Sequence, residues 1–204
     1  VFCATTASIV SGTLAERIKI WPFFLFVILL TGILYPIEMG WQWGGGWLAS
    51  LGFSDFAGST LVHAAGGAAA LAGAIVLGPR VGRFSGKQLV PFANSSIPLA
   101  TIGVFILWFG WFGFNGGSQL ALGTFDDATA VAKIFINTNL AAAGGVMTCA
   151  RITRLIGGKT DVVQMLNGAL GGLVAITAEP LAPVPFIAII IGAIGGVVVV
   201  AGTA

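Results

Sequence analysis

Charge is scarce in this sequence: Asp, Glu, Lys and Arg make up 8% of its 204 residues. A soluble domain carries about 25%, so this chain cannot solvate its own surface, and a water-exposed globular fold is excluded. A net charge of +2 is too small for a nucleic-acid partner. Cysteine is nearly absent. Cys3 and Cys149 lie in apolar stretches, with neither disulfide nor metal-ligand spacing, and read as packing residues. Histidine occurs once, at His63, with no Ser or Cys partner at a recognisable spacing. There is no P-loop, nucleotide fingerprint or metal cluster, so the expectation is a non-enzyme without cofactor or metal. Initiator Met and signal peptide are missing as well. The chain begins inside VFCATTASIVSGTL and ends inside FIAIIIGAIGGVVVVAGTA, and it is read as an internal piece of a longer membrane protein.

What is abundant is apolar: 57% of residues are hydrophobic and 31 are Gly. Lipid is therefore the expected solvent, and the glycines suit helices that approach closely through small residues. A helix needs about 20 apolar residues to cross the hydrocarbon. Five full spans are expected at 20–39, 56–79, 97–118, 128–150 and 162–178, with partial spans at 1–15 and 184–204. The fold class is an all-α, polytopic membrane helix bundle. Ser96 is an N-cap candidate for the third full span, with Pro98 in its first turn. Asp55 caps the second in the same sense.

The charges order the spans. Arg17 and Lys19, then Arg80, Arg83 and Lys87, then Arg151, Arg154 and Lys159 fall in alternate loops. The intervening loops hold Glu38, Asp55, Asp126, Asp127 and Glu179, and Lys133 follows just after Asp126 and Asp127. The positive-inside rule makes the basic loops cytoplasmic, and one alternating assignment satisfies all seven spans.

His63 sits eight positions after Asp55, in DFAGSTLVHAAGG. At about 1.5 Å rise per residue a helix starting at 56 places it roughly 12 Å below Asp55, near the bilayer midplane. An ionisable group at that depth faces a cavity or a partner. One reading is a packed neutral histidine bonded to backbone. The other is a pore-lining imidazole, one nitrogen donating and one accepting, that relays a proton or orients a small polar molecule. Asp55 is explained by capping alone, though its charge also lends negative potential to an outer vestibule. In LWFGWFGFNGGSQ, Phe114 and Ser118 are four residues apart and share a helical face, while Trp108 suits an interfacial belt. WQWGGGWLAS adds Trp41, Trp43 and Trp47 around three glycines. A mouth of indole, phenyl and hydroxyl favours a small cation through cation–π attraction and one hydrogen bond. At about 2 kcal/mol for a desolvated case, it concentrates such a cation rather than capturing it tightly.

TLAERIKI, WGGGWLASLGFSDFAGSTLVH, WFGFNGGS and NGALGGLVAITA together resemble the ammonium transporter (Amt) family of the Amt/Rhesus superfamily, in collinear order along nearly the whole chain. The resemblance implies a fold of eleven helices in an inverted repeat, of which this chain holds about the third to the ninth. Residues 1–79 would end the first repeat, 80–96 form the cytoplasmic linker, and 97–204 begin the second. It implies a homotrimer in the plasma or inner membrane, with ammonium or ammonia as substrate and a nitrogen-regulatory signalling protein as a possible cytoplasmic partner. By position, Phe2, Trp43 and Ser118 match the outer ammonium site, Phe2 and Phe114 the phenyl gate, and His63 the first of two pore histidines. Asp55 matches the supporting acid at the head of that helix. The second pore histidine is expected beyond Ala204. Where the family has His-Asn-x-Pro, this chain reads Ser95-Ser96-Ile97-Pro98; capping survives and a polar ring on the inner side does not. The alternatives are a Rhesus-like ammonia or carbon dioxide channel, and an ammonium sensor with a transporter-like domain.

Overall fold

A computed structural model of the chain describes residues 1–203. They divide into two compact units, one of residues Val1–Asn94 and one from Ser95 onward. The first unit holds α1 (Phe2–Leu14), α2 (Ile20–Gly40), a one-turn α3 (Trp47–Ser50) and α4 (Ser59–Leu77). A short hairpin follows, β1 (Phe84–Ser85) paired antiparallel with β2 (Gln88–Leu89). The second holds α5 (Ile97–Gly117), α6 (Phe125–Gly157), α7 (Val162–Ile176) and α8 (Pro185–Thr203). Apart from the hairpin, the described residues form the helical bundle that the apolar runs call for.

Two spans differ from expectation in length. The run expected at 128–150 belongs to a helix of 33 residues, about 50 Å long. Thr124 and Asp127 close a capping box ahead of it, which adds a polar first turn, and the helix continues through Arg151 and Arg154. Those two cations and Asp126 and Asp127 are therefore helical rather than loop residues. Conversely, α7 has only 15 residues, while α8 has 19 and is long and apolar enough to cross a membrane. Glu38 is also helical: it lies in the last turns of α2, not in the loop beyond. Ser96 does cap α5, its hydroxyl accepting from the Leu99 N–H at 3.3 Å.

Large apolar side chains lie on the outside and several polar ones are buried. Ile75 and Val76 are 74% and 83% exposed, whereas Thr6, Asp55, Asn115, Asn137, Thr138 and Thr177 are buried. Removing an apolar side chain from lipid gains little, so packing and internal hydrogen bonds must hold such helices together. Glycines do this in the second unit. Gly192 of α8 and Gly172 of α7 both press on the Ala141 carbonyl of α6, so closely that a Cβ at either would overlap that oxygen. In the first unit, Val10 and Leu14 of α1 pack with Leu30 and Ala70. The Arg17 guanidinium donates to the Gly78 carbonyl at 2.5 Å and to that of Thr13, joining the ends of α1 and α4. Mid-way, α2 widens to i→i+5 hydrogen bonding over Leu30–Leu34. Pro36 has no N–H to return to Gly32, and a wider turn accommodates the missing bond.

Candidate functional site

The start of α4 is built around one carboxylate. Asp55 is 2% exposed. Its Oδ1 accepts from the amides of Gly58 and Ser59, both at 2.9 Å, and its Oδ2 from those of Thr60 and Leu61 at 2.7 and 2.9 Å. Four successive N–H groups that would otherwise lack an acceptor thus share one side chain. Gly58 makes the geometry possible. Its φ is +95°, and a Cβ there would stand 2.5 Å from Val62 Cγ2 and 3.1 Å from Trp43 Cη2.

His63 hangs from the same glycine. The Gly58 carbonyl accepts from the His63 amide at 3.1 Å, and His63 Nδ1 lies 2.9 Å from that oxygen. A carbonyl only accepts, so Nδ1 carries the hydrogen and Nε2 is the acceptor nitrogen of the neutral ring. The helix starts later than expected from the sequence. Residues 55–58 are not helical, α4 begins at Ser59, and its opening turn over Ser59–Ala64 has i→i+5 bonding. His63 is the fifth residue of the span, one turn from the Asp55 carboxylate rather than two, and belongs to the Asp55 end of α4.

Trp43 and Phe2 join this group. Trp43 Nε1 donates to the Asp55 backbone carbonyl at 2.8 Å, and its ring meets that of Phe2 at 5.2 Å and 43°. The turn carrying Trp43 is tight: Gly46 N–H returns to the Gly40 carbonyl at 3.1 Å, and a Cβ at Gly44 or Gly46 would come within 3 Å of that oxygen. Thr6 of α1, which the sequence reading passed over, ties the group together. Its hydroxyl lies 3.2 Å from the Phe2 carbonyl and 3.4 Å from that of Val62. Phe2, Trp43, Asp55 and His63 are therefore one connected cluster in the first unit.

Phe114 and Ser118 belong to the second unit, at the C-terminal end of α5. The Ser118 hydroxyl donates to the Phe114 carbonyl at 2.8 Å, as their spacing of four suggests. The Phe114 ring lies 6.1 Å from Trp111. Beside them runs a buried network absent from the sequence reading. Trp111 Nε1 donates to Thr177 Oγ1 at 2.8 Å, Thr177 Oγ1 lies 3.2 Å from Asn115 Oδ1, and Asn115 Nδ2 donates to Thr138 Oγ1 at 3.0 Å. Its signal was available: Asn115, Thr138 and Thr177 are polar residues within apolar runs. No group of three His, Cys, Asp or Glu residues is placed to hold a metal among the described residues.

The chain is similar to known proteins. The chain is 45% identical over 215 aligned residues to ammonium transporter Amt2 of Archaeoglobus fulgidus, with 99% of this chain and 45% of that protein covered. It superposes on a solved Sensor Amt Protein with a TM-score of 0.92 at 37% identity, covering 98% of this chain and 50% of that one. Against Candida albicans Mep2 the TM-score is 0.86 at 35% identity, with 97% and 43% covered. The chain thus spans about half the length of the relatives it matches. With five helices long and apolar enough to cross a bilayer, it is a multi-pass membrane protein. The Ammonium Transporter Family model matches residues 1–204, and the chain belongs to that family.

Proposed function

We propose that this chain is part of an ammonium transporter in which Phe2, Trp43 and Ser118 recruit ammonium at an outer mouth. Phe2 and Phe114 form an apolar gate, and His63 lines the path beyond it. Cation–π attraction and one hydroxyl offset part of the ion's dehydration, and a phenyl constriction rejects a hydrated ion. Potassium has nearly the same size as ammonium but donates no hydrogen bonds, so selection falls to groups that accept them and to loss of a proton. Trimeric assembly, a regulatory protein at the cytoplasmic face, and the division into a first repeat to 79, a linker at 80–96 and a second repeat from 97 are part of the same proposal.

The observation that supports this reading most is the contact of His63 Nδ1 with the Gly58 carbonyl at 2.9 Å. It fixes the orientation of the imidazole, and a neutral ring so held carries its acceptor nitrogen at Nε2, the kind of group that an N–H donor passing along a pore requires. Family membership supplies the substrate class. Replacing His63 with Ala or Asp in the full-length protein is expected to change ammonium uptake, or its selectivity over potassium, by at least about tenfold, the scale of one lost charge-assisted hydrogen bond. Uptake and selectivity untouched in both variants would remove His63 from the path.

The likeness to a solved sensor protein favours a second reading, in which ammonium binding is signalled to an attached module. Expression in cells lacking their own ammonium uptake separates the two. A transporter restores growth on limiting ammonium, and a sensor does not.

A further inference from the structure

The segment after α4 carries charge of one sign. Arg80, Arg83 and Lys87 fall within eight residues, and 78–96 holds no acid. Its root is fastened to the end of α1. Arg80 Nε lies 3.4 Å from Glu16 Oε2, and Arg80 Nη2 donates to the Gly12 carbonyl at 3.4 Å, beside the contact of Arg17 with Gly78. The hairpin of β1 and β2 begins seven residues after α4 ends. It is therefore carried close to the level at which these helices leave the hydrocarbon.

The hairpin is braced and two-faced. Gly86 takes φ +62° at the first of its two loop positions, where tight hairpins favour glycine. Past the strands, the Val90 amide donates to the Arg83 carbonyl at 2.8 Å, and Arg83 Nη1 donates to the Val90 carbonyl at 2.9 Å. The same guanidinium lies 5.7 Å from the Phe92 ring centre. In the register, Phe84 opposes Leu89 and Ser85 opposes Gln88. Opposed side chains share a face and successive ones alternate, so one face is Phe84 and Leu89 and the other Ser85 and Gln88. Phe84 and Leu89 are 50% and 57% exposed, outside the cluster that packs α1 against α4. Lys87, at the tip, is exposed and pairs with no acid among the described residues.

An open apolar pair beside unopposed cations, at a bilayer surface, has the composition of an interfacial anchor. Two apolar side chains and a basic tip fall well short of the roughly 800 Å² that each partner gives to a standard protein contact, whereas headgroups lie within reach. We propose that this hairpin docks on anionic lipid headgroups of the bilayer that the chain crosses. Phe84 and Leu89 enter the boundary between headgroups and acyl chains. Lys87, with the Arg83 donors not given to Val90, meets lipid phosphates. Such docking fastens the basic loop to one leaflet, whatever the pore conducts.

The test places a nitroxide spin label on full-length protein freed of its native cysteines, Cys3 and Cys149 included. One label sits at Leu89→Cys and another, on the opposite face, at Gln88→Cys. The protein is held in nanodiscs of phosphatidylcholine alone, or with one lipid in three replaced by phosphatidylglycerol. Oxygen partitions into lipid and a nickel chelate stays in water, so their relative access to the label reads immersion. Size-exclusion elution controls for folding. With phosphatidylglycerol, the label at 89 is expected to meet oxygen and the label at 88 the chelate. Adding Lys87→Gln should lower the ratio of immersed to free hairpin about fivefold, the scale of one cation at an anionic surface, and raised salt should act in the same direction. A label at 89 open to the chelate in both discs leaves the hairpin in water and overturns the proposal. Immersion indifferent to phosphatidylglycerol and to Lys87→Gln overturns the assignment to anionic lipid. Protection of 89 from oxygen and chelate alike means that protein, of this chain or of a neighbouring subunit, covers the face, and overturns it too.

Discussion

At the scale of single residues, Asp55 does more than its position before an apolar run announces. Capping by a side chain ordinarily satisfies one amide of a helix start, and its loss costs about 0.5–2 kcal/mol. Here four amides converge on one buried carboxylate. The same helix start positions the Gly58 carbonyl that orients His63, and the Asp55 main chain holds Trp43. Asp55→Ala is expected to lower the melting temperature of the full-length protein in detergent and to abolish uptake, because it unpairs several buried donors at once, each worth about 1–3 kcal/mol. Asp55→Asn keeps one acceptor oxygen, so its melting temperature should fall between wild type and Asp55→Ala. Equal melting temperatures for all three would mean that the carboxylate is not the organiser of this turn. The acid was legible in the sequence because a charge next to an apolar run needs a reason. The reading of His63 as bonded to backbone was legible and is the contact the structure shows, but its partner was not, because the bond depends on Gly58 taking a positive φ. Glu38 was counted with the outer-loop acids although the span expected at 20–39 already contained it, and the structure places it in the helix.

Among whole elements, the positions of the helices were legible and their ends less so. The apolar runs expected at 56–79, 97–118 and 184–204 match α4, α5 and α8 to within a few residues. The full length of α6 was not legible, since its polar first turn, FDDA, depends on a capping box rather than on hydropathy. Nor was the network that joins α5, α6 and α7, because it forms between residues 23 to 66 positions apart. That network gives a sharp expectation. Thr177→Val, nearly the same shape, removes the hydroxyl that meets Trp111 Nε1 and Asn115 Oδ1 and should destabilise the protein by about 1–3 kcal/mol, read as a fall in detergent melting temperature. Thr177→Ser should restore most of it. Adding Trp111→Phe to Thr177→Val should cost less than the sum of the two single changes, since the second removes a donor that the first has already orphaned. Additive losses would show that the contact at 2.8 Å contributes nothing measurable.

For the molecule as a whole, the exposed apolar side chains and the alternation of charge make one joint statement about orientation. A chain whose exposed surface is Ile, Leu, Phe and Val can be stable only in lipid, and lipid admits a helical bundle whose backbone bonds are closed within each helix. Which end faces the cytoplasm is then decided by Lys and Arg near the span ends. Within the first unit, the basic loop after α4 carries Arg80, Arg83 and Lys87, while the turn before α4 carries none. Val81 and Leu51 mark these two places and are 98% and 76% exposed, so a probe reaches either without unfolding. With Cys3 and Cys149 replaced by Ser, Leu51→Cys in intact cells should react with a membrane-impermeant maleimide added outside. Val81→Cys should react only after the membrane is opened. Labelling of both from outside would break the assignment of α4 as a single crossing. Reversal of the two would overturn the orientation, and with it the proposal that Trp43 and Asp55 lie at the outer face.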